Sequence, residues 1–158
     1  MAGPFIIGRR LGEGINVARY IIYGAGSVGG VIGARLKLTG HEVVLIARGA
    51  NLDTIKKSGL LLRTPSKDEV VKLEAAGTLS EVEIRSGDRI VLGMKTHEVA
   101  QALQEVANKA PPDVAIICAQ NGVESERMAL RLFDKVYGTY VFVYAALTAP
   151  GVAGAYSD

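Results

Sequence analysis

The chain has 158 residues, of which 49% are hydrophobic and 22% charged, and its formal net charge is +2. That is the composition of one ordinary globular domain with a sizeable core; its dispersed basic residues give no electrostatic case for a nucleic-acid or membrane partner. No apolar run approaches the roughly 20 residues of a membrane span, and the single cysteine excludes an intrachain disulfide framework, which fits a reducing cytoplasm.

Residues 1–18 read as a tail or N-terminal extension. Phe5-Ile6-Ile7 is apolar, but Gly8, Gly12 and Gly14 interrupt it, and no sustained apolar segment of a signal peptide is present. The Gly12-Glu13-Gly14 loop lacks the strand and helix that a phosphate site needs.

The chain is organised around residues 19–48. Tyr20 to Tyr23 is a short apolar run of the kind buried on both faces of a parallel sheet. Gly24, Gly26 and Gly29 follow with G-x-G-x-x-G spacing, and a helical pattern begins at once: Val28, Ile32 and Leu36 recur on one face. Gly40 stops that helix, and Glu42 to Ala47 reads as a second buried strand. Each glycine has its own reason: Gly24 for the tight turn, Gly26 for room beside a pyrophosphate, Gly29 for close helix–sheet approach. Free N–H groups and the positive helix end would then face an anion. A tight strand–helix turn that binds nothing is the other reading of the same residues.

Dinucleotide sites that prefer NAD usually carry an acid at the end of the second strand, about 20 residues beyond the glycines. Here Ala47 and Arg48 occupy that place, with no acid until Asp53. Arg48 puts a permanently charged donor fork where a 2′-phosphate would sit, so NADP is the expected cofactor. The alternative is a solvated arginine.

Further along, Asn51 to Ser58 reads as a short helix stopped by Gly59. Leu60 to Arg63 and Val70 to Glu74 read as a hairpin around Thr64-Pro65-Ser66, and Glu81 to Asp88 as a surface loop. Arg89 to Met94 returns to a buried strand, followed directly by Lys95 and Thr96 and then by helically spaced Val99, Ala102, Leu103 and Val106. His97, beside them, reads as a surface or capping residue rather than a ligand. Val114 to Ala119 is another buried strand, with Cys118 expected as a buried structural thiol. It runs into Gln120-Asn121-Gly122, and a helix begins near Val123. Asn121 can donate and accept, which suits a carboxamide or hydroxyl, although Asn-Gly is also a common turn. Tyr137 to Leu147 reads as one long strand, and Ala149-Pro150-Gly151 as a turn.

The fold expected is α/β, a Rossmann-type doubly wound, mainly parallel sheet with helices on both faces. Ligands of such sheets bind at the carboxyl ends of the strands. Gly24 to Gly29, Lys95 and Asn121 each sit at such an end, and their joint position says more than any one of them.

With these blocks in place, the chain resembles the N-terminal NADP-binding domain of the ketopantoate reductase (2-dehydropantoate 2-reductase) family over about residues 19–158. The matching features are Gly24-Ala25-Gly26-Ser27-Val28-Gly29, Gly40-His41, Arg48, Met94-Lys95-Thr96, Gln120-Asn121-Gly122-Val123 and Pro150-Gly151-Val152, in the family's order. The resemblance implies NADPH-dependent reduction of a 2-keto acid, ketopantoate to pantoate in pantothenate biosynthesis. It implies cofactor contacts from Gly24, Ala25, Gly26, Ser27, Val28, Gly29, Arg48, Lys95, Thr96, Asn121 and Gly122, with Lys95 and Asn121 also reaching substrate. No metal is implied. The family's general acid is a lysine in a following all-helical domain, absent here, so no catalytic residue is expected in this chain. Acid catalysis contributes about 10²–10⁴-fold, so turnover by the chain alone is expected to be negligible, as for a fragment. An uncovered domain interface would invite oligomers. Two competing expectations are a nucleotide-sensing regulatory Rossmann module, like those gating potassium uptake, and the first domain of another NAD(P)-dependent hydroxyacid dehydrogenase.

Overall fold

A computed structural model of the chain describes residues 17–156. Of the expected tail, all but Val17 and Ala18 therefore lies outside the described residues. The order of elements is β1 (Arg19–Tyr23), α1 (Ser27–Leu38), β2 (Glu42–Ile46), α2 (Gly49–Ser58), β3 (Leu60–Arg63), β4 (Asp68–Val71) and β5 (Glu74–Ala76). After a 3-10 turn at Leu79–Glu81 come β6 (Arg89–Leu92), α3 (Thr96–Ala107), β7 (Ala115–Cys118), α4 (Glu124–Ala129), β8 (Lys135–Gly138), β9 (Ala145–Ala149) and β10 (Val152–Ala155).

Six strands form one sheet in the order β5-β2-β1-β6-β7-β8, and every pairing in it is parallel. Its short apolar runs are buried on both sides, as such sheets require. Ile21, Tyr23, Val44, Ile46, Ile90, Leu92, Ile116 and Cys118 point to one face, where Val99, Ala102, Leu103 and Val106 of α3 and Ala129 of α4 meet them. Ile22, Val43, Leu45 and Val91 point to the other, against Val31 and Ala34 of α1 and Ile55 of α2. Strand order reverses between β1 and β6: the chain runs outward through β2 and β5, then returns to β1's other side. A crevice opens at the carboxyl ends of the strands at such a point.

Helix α1 is covered on a second side as well. A four-stranded sheet, β4-β3-β10-β9, packs over it, so that α1 lies between two sheets. That explains its sequence. Built Cβ atoms at Gly29 and Gly33 would press on Ile22 and Leu45 of the large sheet, whereas one at Gly30 would come 3.0 Å from Ala153 of β10. Small residues let both sheets approach the helix backbone.

Four expectations are corrected. Tyr137 to Leu147 is two strands: β8 closes the large sheet, residues 139–144 leave it, and β9 joins the small one. The aromatic, β-branched composition favours extended backbone throughout but does not choose a sheet. The buried side of α1 is Gly29, Gly30, Val31, Gly33 and Ala34, while Val28, Ile32 and Leu36 are only half-buried. The hairpin's second strand ends at Val71, and Glu74–Ala76 pairs instead with β2. Val152–Ala155, read as chain following a turn, is β10, an inner strand of the small sheet.

Candidate functional site

A cleft of about 650 Å³ opens at the carboxyl ends of β1, β2 and β6. That volume lies in the range of small-molecule and cofactor sites. Its floor is the glycine turn. Gly24 adopts φ +101, a left-handed geometry that glycine takes without strain. The amides of Gly24 and Ala25 are tied to the Ile46 carbonyl at 3.3 and 2.9 Å, which anchors the turn to β2. Helix α1 then starts with Gly26 as N-cap, with no side-chain cap and no acid in its first turn. The first-turn N–H groups have no preceding helical carbonyl. They and the helix dipole therefore present an unneutralised positive end to the cleft. A Cβ built on Gly26 meets nothing within 4 Å, so the space above it is open.

A glycine that sequence reasoning passed over shapes the same floor. A Cβ on Gly93 would lie 2.7 Å from the Gly24 carbonyl oxygen, and one on Gly24 would lie 2.7 Å from the Met94 nitrogen. A Cβ on Gly29 would collide with that same Gly24 oxygen. Gly24, Gly29 and Gly93 are thus a three-way backbone contact between the first turn, α1 and the β6–α3 connection. Only the first two carry a recognisable spacing.

Asn51 was also missed. Its Nδ2 donates to the Ala25 carbonyl at 2.8 Å, and its Oδ1 accepts from the Gly151 amide at 2.7 Å. One side chain therefore links the glycine turn to the β9–β10 turn of the small sheet.

Three cleft walls carry charge. Arg48, at the end of β2, is the N-cap of α2, and its side chain is 73% exposed. Its Nη1 lies 3.4 Å from Oε1 of Glu98 on α3. Lys95 is the N-cap of α3 and exposed, at the end of β6. On the inner side, the Tyr23 hydroxyl donates to Glu105. Burial, then the hydrogen bond and the charge of Glu105, push the Tyr23 hydroxyl up to about 12, against the opposing pull of Arg48.

The structure brings together most of the expected residues and separates others. Gly24, Ala25, Gly26, Ser27, Arg48 and Lys95 all line the cleft, and so does His97, which was expected to stand apart from a ligand. Val28 is half-buried behind the turn and Thr96 is exposed on α3, neither of them in the wall. Asn121 and Gly122 follow β7 on the same sheet edge, exposed and outside the cleft wall. Their neighbour Gln120 turns inward and is buried. Its Nε2 donates to the carbonyls of Leu92 at 2.7 Å and Met94 at 3.0 Å, bracing the strand end before Lys95. Cys118 is fully buried and free, as expected, and burial with the charge of Glu126 pushes its thiol up to about 11. No helix among the described residues is long and apolar enough to cross a membrane.

Residues 20–155 match the family model for ketopantoate reductase PanE/ApbA. The chain belongs to the ketopantoate reductase family. It is an oxidoreductase family, and this chain's fold is that of its members. A 2-dehydropantoate 2-reductase of Pyrococcus horikoshii is 30% identical over 131 residues, which cover 83% of this chain and 42% of the relative. The crystal structure of a PanE/ApbA family ketopantoate reductase from Ralstonia eutropha JMP134 is 31% identical, with a TM-score of 0.78 over 85% of this chain and 45% of that one. The structure of D-mandelate dehydrogenase with NADH and anilino(oxo)acetate is 26% identical, with a TM-score of 0.79 over 89% of this chain and 46% of that one. The chain thus spans less than half the length of each.

Proposed function

We propose that the chain binds NADPH along this cleft and presents it for reduction of a 2-keto acid, ketopantoate being the family's namesake substrate. One observation carries the reading: an uncapped, acid-free helix start, framed by Gly24, Gly26 and Gly29, opens into the cleft that Arg48 and Lys95 line. The residues present fit a dinucleotide. The turn amides would hold the pyrophosphate, and the open space at Gly26 would admit it. Arg48 would face the adenosine 2′-phosphate, for which its planar fork is suited.

Bound there, the reduced nicotinamide supplies a hydride. The protein's part is to fix its position and stabilise charge that develops on the ketone oxygen. Lys95, an ammonium at the end of β6, stands at the right strand end for that charge or for a substrate carboxylate. Thr96, Asn121 and Gly122 would add contacts from the same edge. The reading leaves proton donation and most substrate contacts to a second, helical domain, so the chain alone binds cofactor and turns over negligibly. It places the protein in the cytoplasm, where NADPH is available.

Calorimetric titration with NADPH tests this. Wild type is expected to bind, Gly26→Ala to lose binding without unfolding, and Arg48→Ala to weaken NADPH by about tenfold or more, one guanidinium–phosphate contact being worth at least ~1.4 kcal/mol. An absence of binding by the wild-type chain to any nicotinamide dinucleotide would refute the reading.

A further inference from the structure

The cation at the ribose end of the cleft already has a partner. Arg48 Nη1 and Glu98 Oε1 stand 3.4 Å apart, and both residues line the cleft. Glu98 belongs to the first turn of α3. Two turns on, Glu105 lines the same cleft and accepts the Tyr23 hydroxyl, with Gln101 lining it between them. The side of α3 that faces the end of β2 is therefore acidic. The carboxylate that the end of β2 lacks is supplied from across the cleft.

We propose that Glu98 is a specificity-determining residue, which competes with a 2′-phosphate for Arg48 and narrows the preference for NADPH over a dinucleotide with a free 2′-hydroxyl. The proposal rests on the dinucleotide reading of the cleft. A 2′-phosphate needs the Arg48 fork and must displace Glu98 from it. It then leaves two like-charged groups side by side, which weakens its binding relative to that of a cofactor without the phosphate. A free 2′-hydroxyl makes no such demand. It donates a hydrogen bond to the Glu98 carboxylate while Arg48 keeps its partner. Arg48 alone points to NADPH; Arg48 paired with Glu98 discriminates far less between the two cofactors.

The test is a titration of the whole 158-residue chain with NADPH and with NADH at low salt, followed by nicotinamide fluorescence. It compares wild type, Glu98→Gln and Glu83→Gln. Glu83 is exposed and precedes β6, at the opposite edge of the sheet, so its substitution makes the same change in net charge away from the cleft. Glu98→Gln is expected to tighten NADPH and weaken NADH, lowering the ratio of their dissociation constants by about tenfold, the scale of relieving one like-charge contact. Glu83→Gln is expected to leave that ratio where it is. A ratio that stays constant in Glu98→Gln, or moves equally in both variants, overturns the role of Glu98 while leaving dinucleotide binding intact. If neither dinucleotide binds wild type, the cleft reading falls and this proposal falls with it.

Discussion

The side-chain amide of Gln120 donates to the Met94 carbonyl at 3.0 Å, one residue before Lys95. The same nitrogen donates to Leu92 at 2.7 Å, so the end of β7 holds the end of β6. Gln120→Leu keeps the bulk and removes both bonds, leaving two strand-end carbonyls without that donor. Removing a buried partner costs roughly 1–3 kcal/mol. The urea midpoint should fall accordingly, and NADPH affinity should drop with it because Lys95 loses its brace. An unchanged midpoint would show that water replaces the amide without cost.

The glycines separate folding from binding. Gly26→Ala places a methyl in open space, so the melting temperature should stay within about 2 °C of wild type, as for a substitution that meets nothing. Dinucleotide binding should nevertheless be lost if, as proposed, that space admits the pyrophosphate. Gly93→Ala meets the Gly24 carbonyl oxygen at 2.7 Å, and Gly29→Ala collides with it. Both should destabilise the fold by about 1–3 kcal/mol or more, as overpacking does. Thermal melts beside cofactor titrations of the three variants check this.

Asn51 ties two sheets together. Asn51→Ala removes bonds to Ala25 and Gly151, which should lower stability by roughly 1–3 kcal/mol. Hydrogen exchange should speed up in β9 and β10 more than in β1 and β6. Uniform acceleration would mean that Asn51 serves the whole fold rather than this junction.

Alkaline pH should weaken the fold in a defined window. Tyr23 and Cys118 are raised from 10.0 to about 12 and from 9.0 to about 11, respectively. In both, the neutral form is favoured by folding, so the folded chain holds its proton longer than the unfolded one. Their contribution is full below pH 9 and is lost as pH rises to about 12. The stability difference between wild type and Cys118→Ala should narrow from pH 9 to 11, and that with Tyr23→Phe from pH 10 to 12. Urea midpoints across that range measure it; differences that stay flat would show that neither group titrates abnormally.

What the sequence made legible was whatever leaves a local signal. The apolar runs at Tyr20–Tyr23 and Arg89–Met94, the Gly24 to Gly29 spacing and the strand-end positions of Lys95 and Arg48 needed no partner to be recognised. The small sheet did. Val152–Ala155 has one β-branched residue and becomes a strand because β3 and β9 pair with it on either side. Gly93 and Asn51 matter through Gly24, Ala25 and Gly151, groups that the chain brings together only on folding. Tyr140, Phe142 and Tyr144 are exposed while Val141 and Val143 pack on the core, an alternation that mimics a strand without sheet partners. The Arg48–Glu98 pair is likewise a tertiary fact. Reading Arg48 alone gave it a free charge.

Helix α1 has a sheet on either side, and that governs how the cleft can respond to a guest. Its leading end cannot swing away, so the backbone amides keep their aim before anything arrives, and little ordering accompanies docking there. The opposite rim is built from long side chains in water, Arg48 and Glu98, which can re-pair at small cost. On the proposed reading, such a vessel is stiff where all dinucleotides are alike and adaptable where they differ.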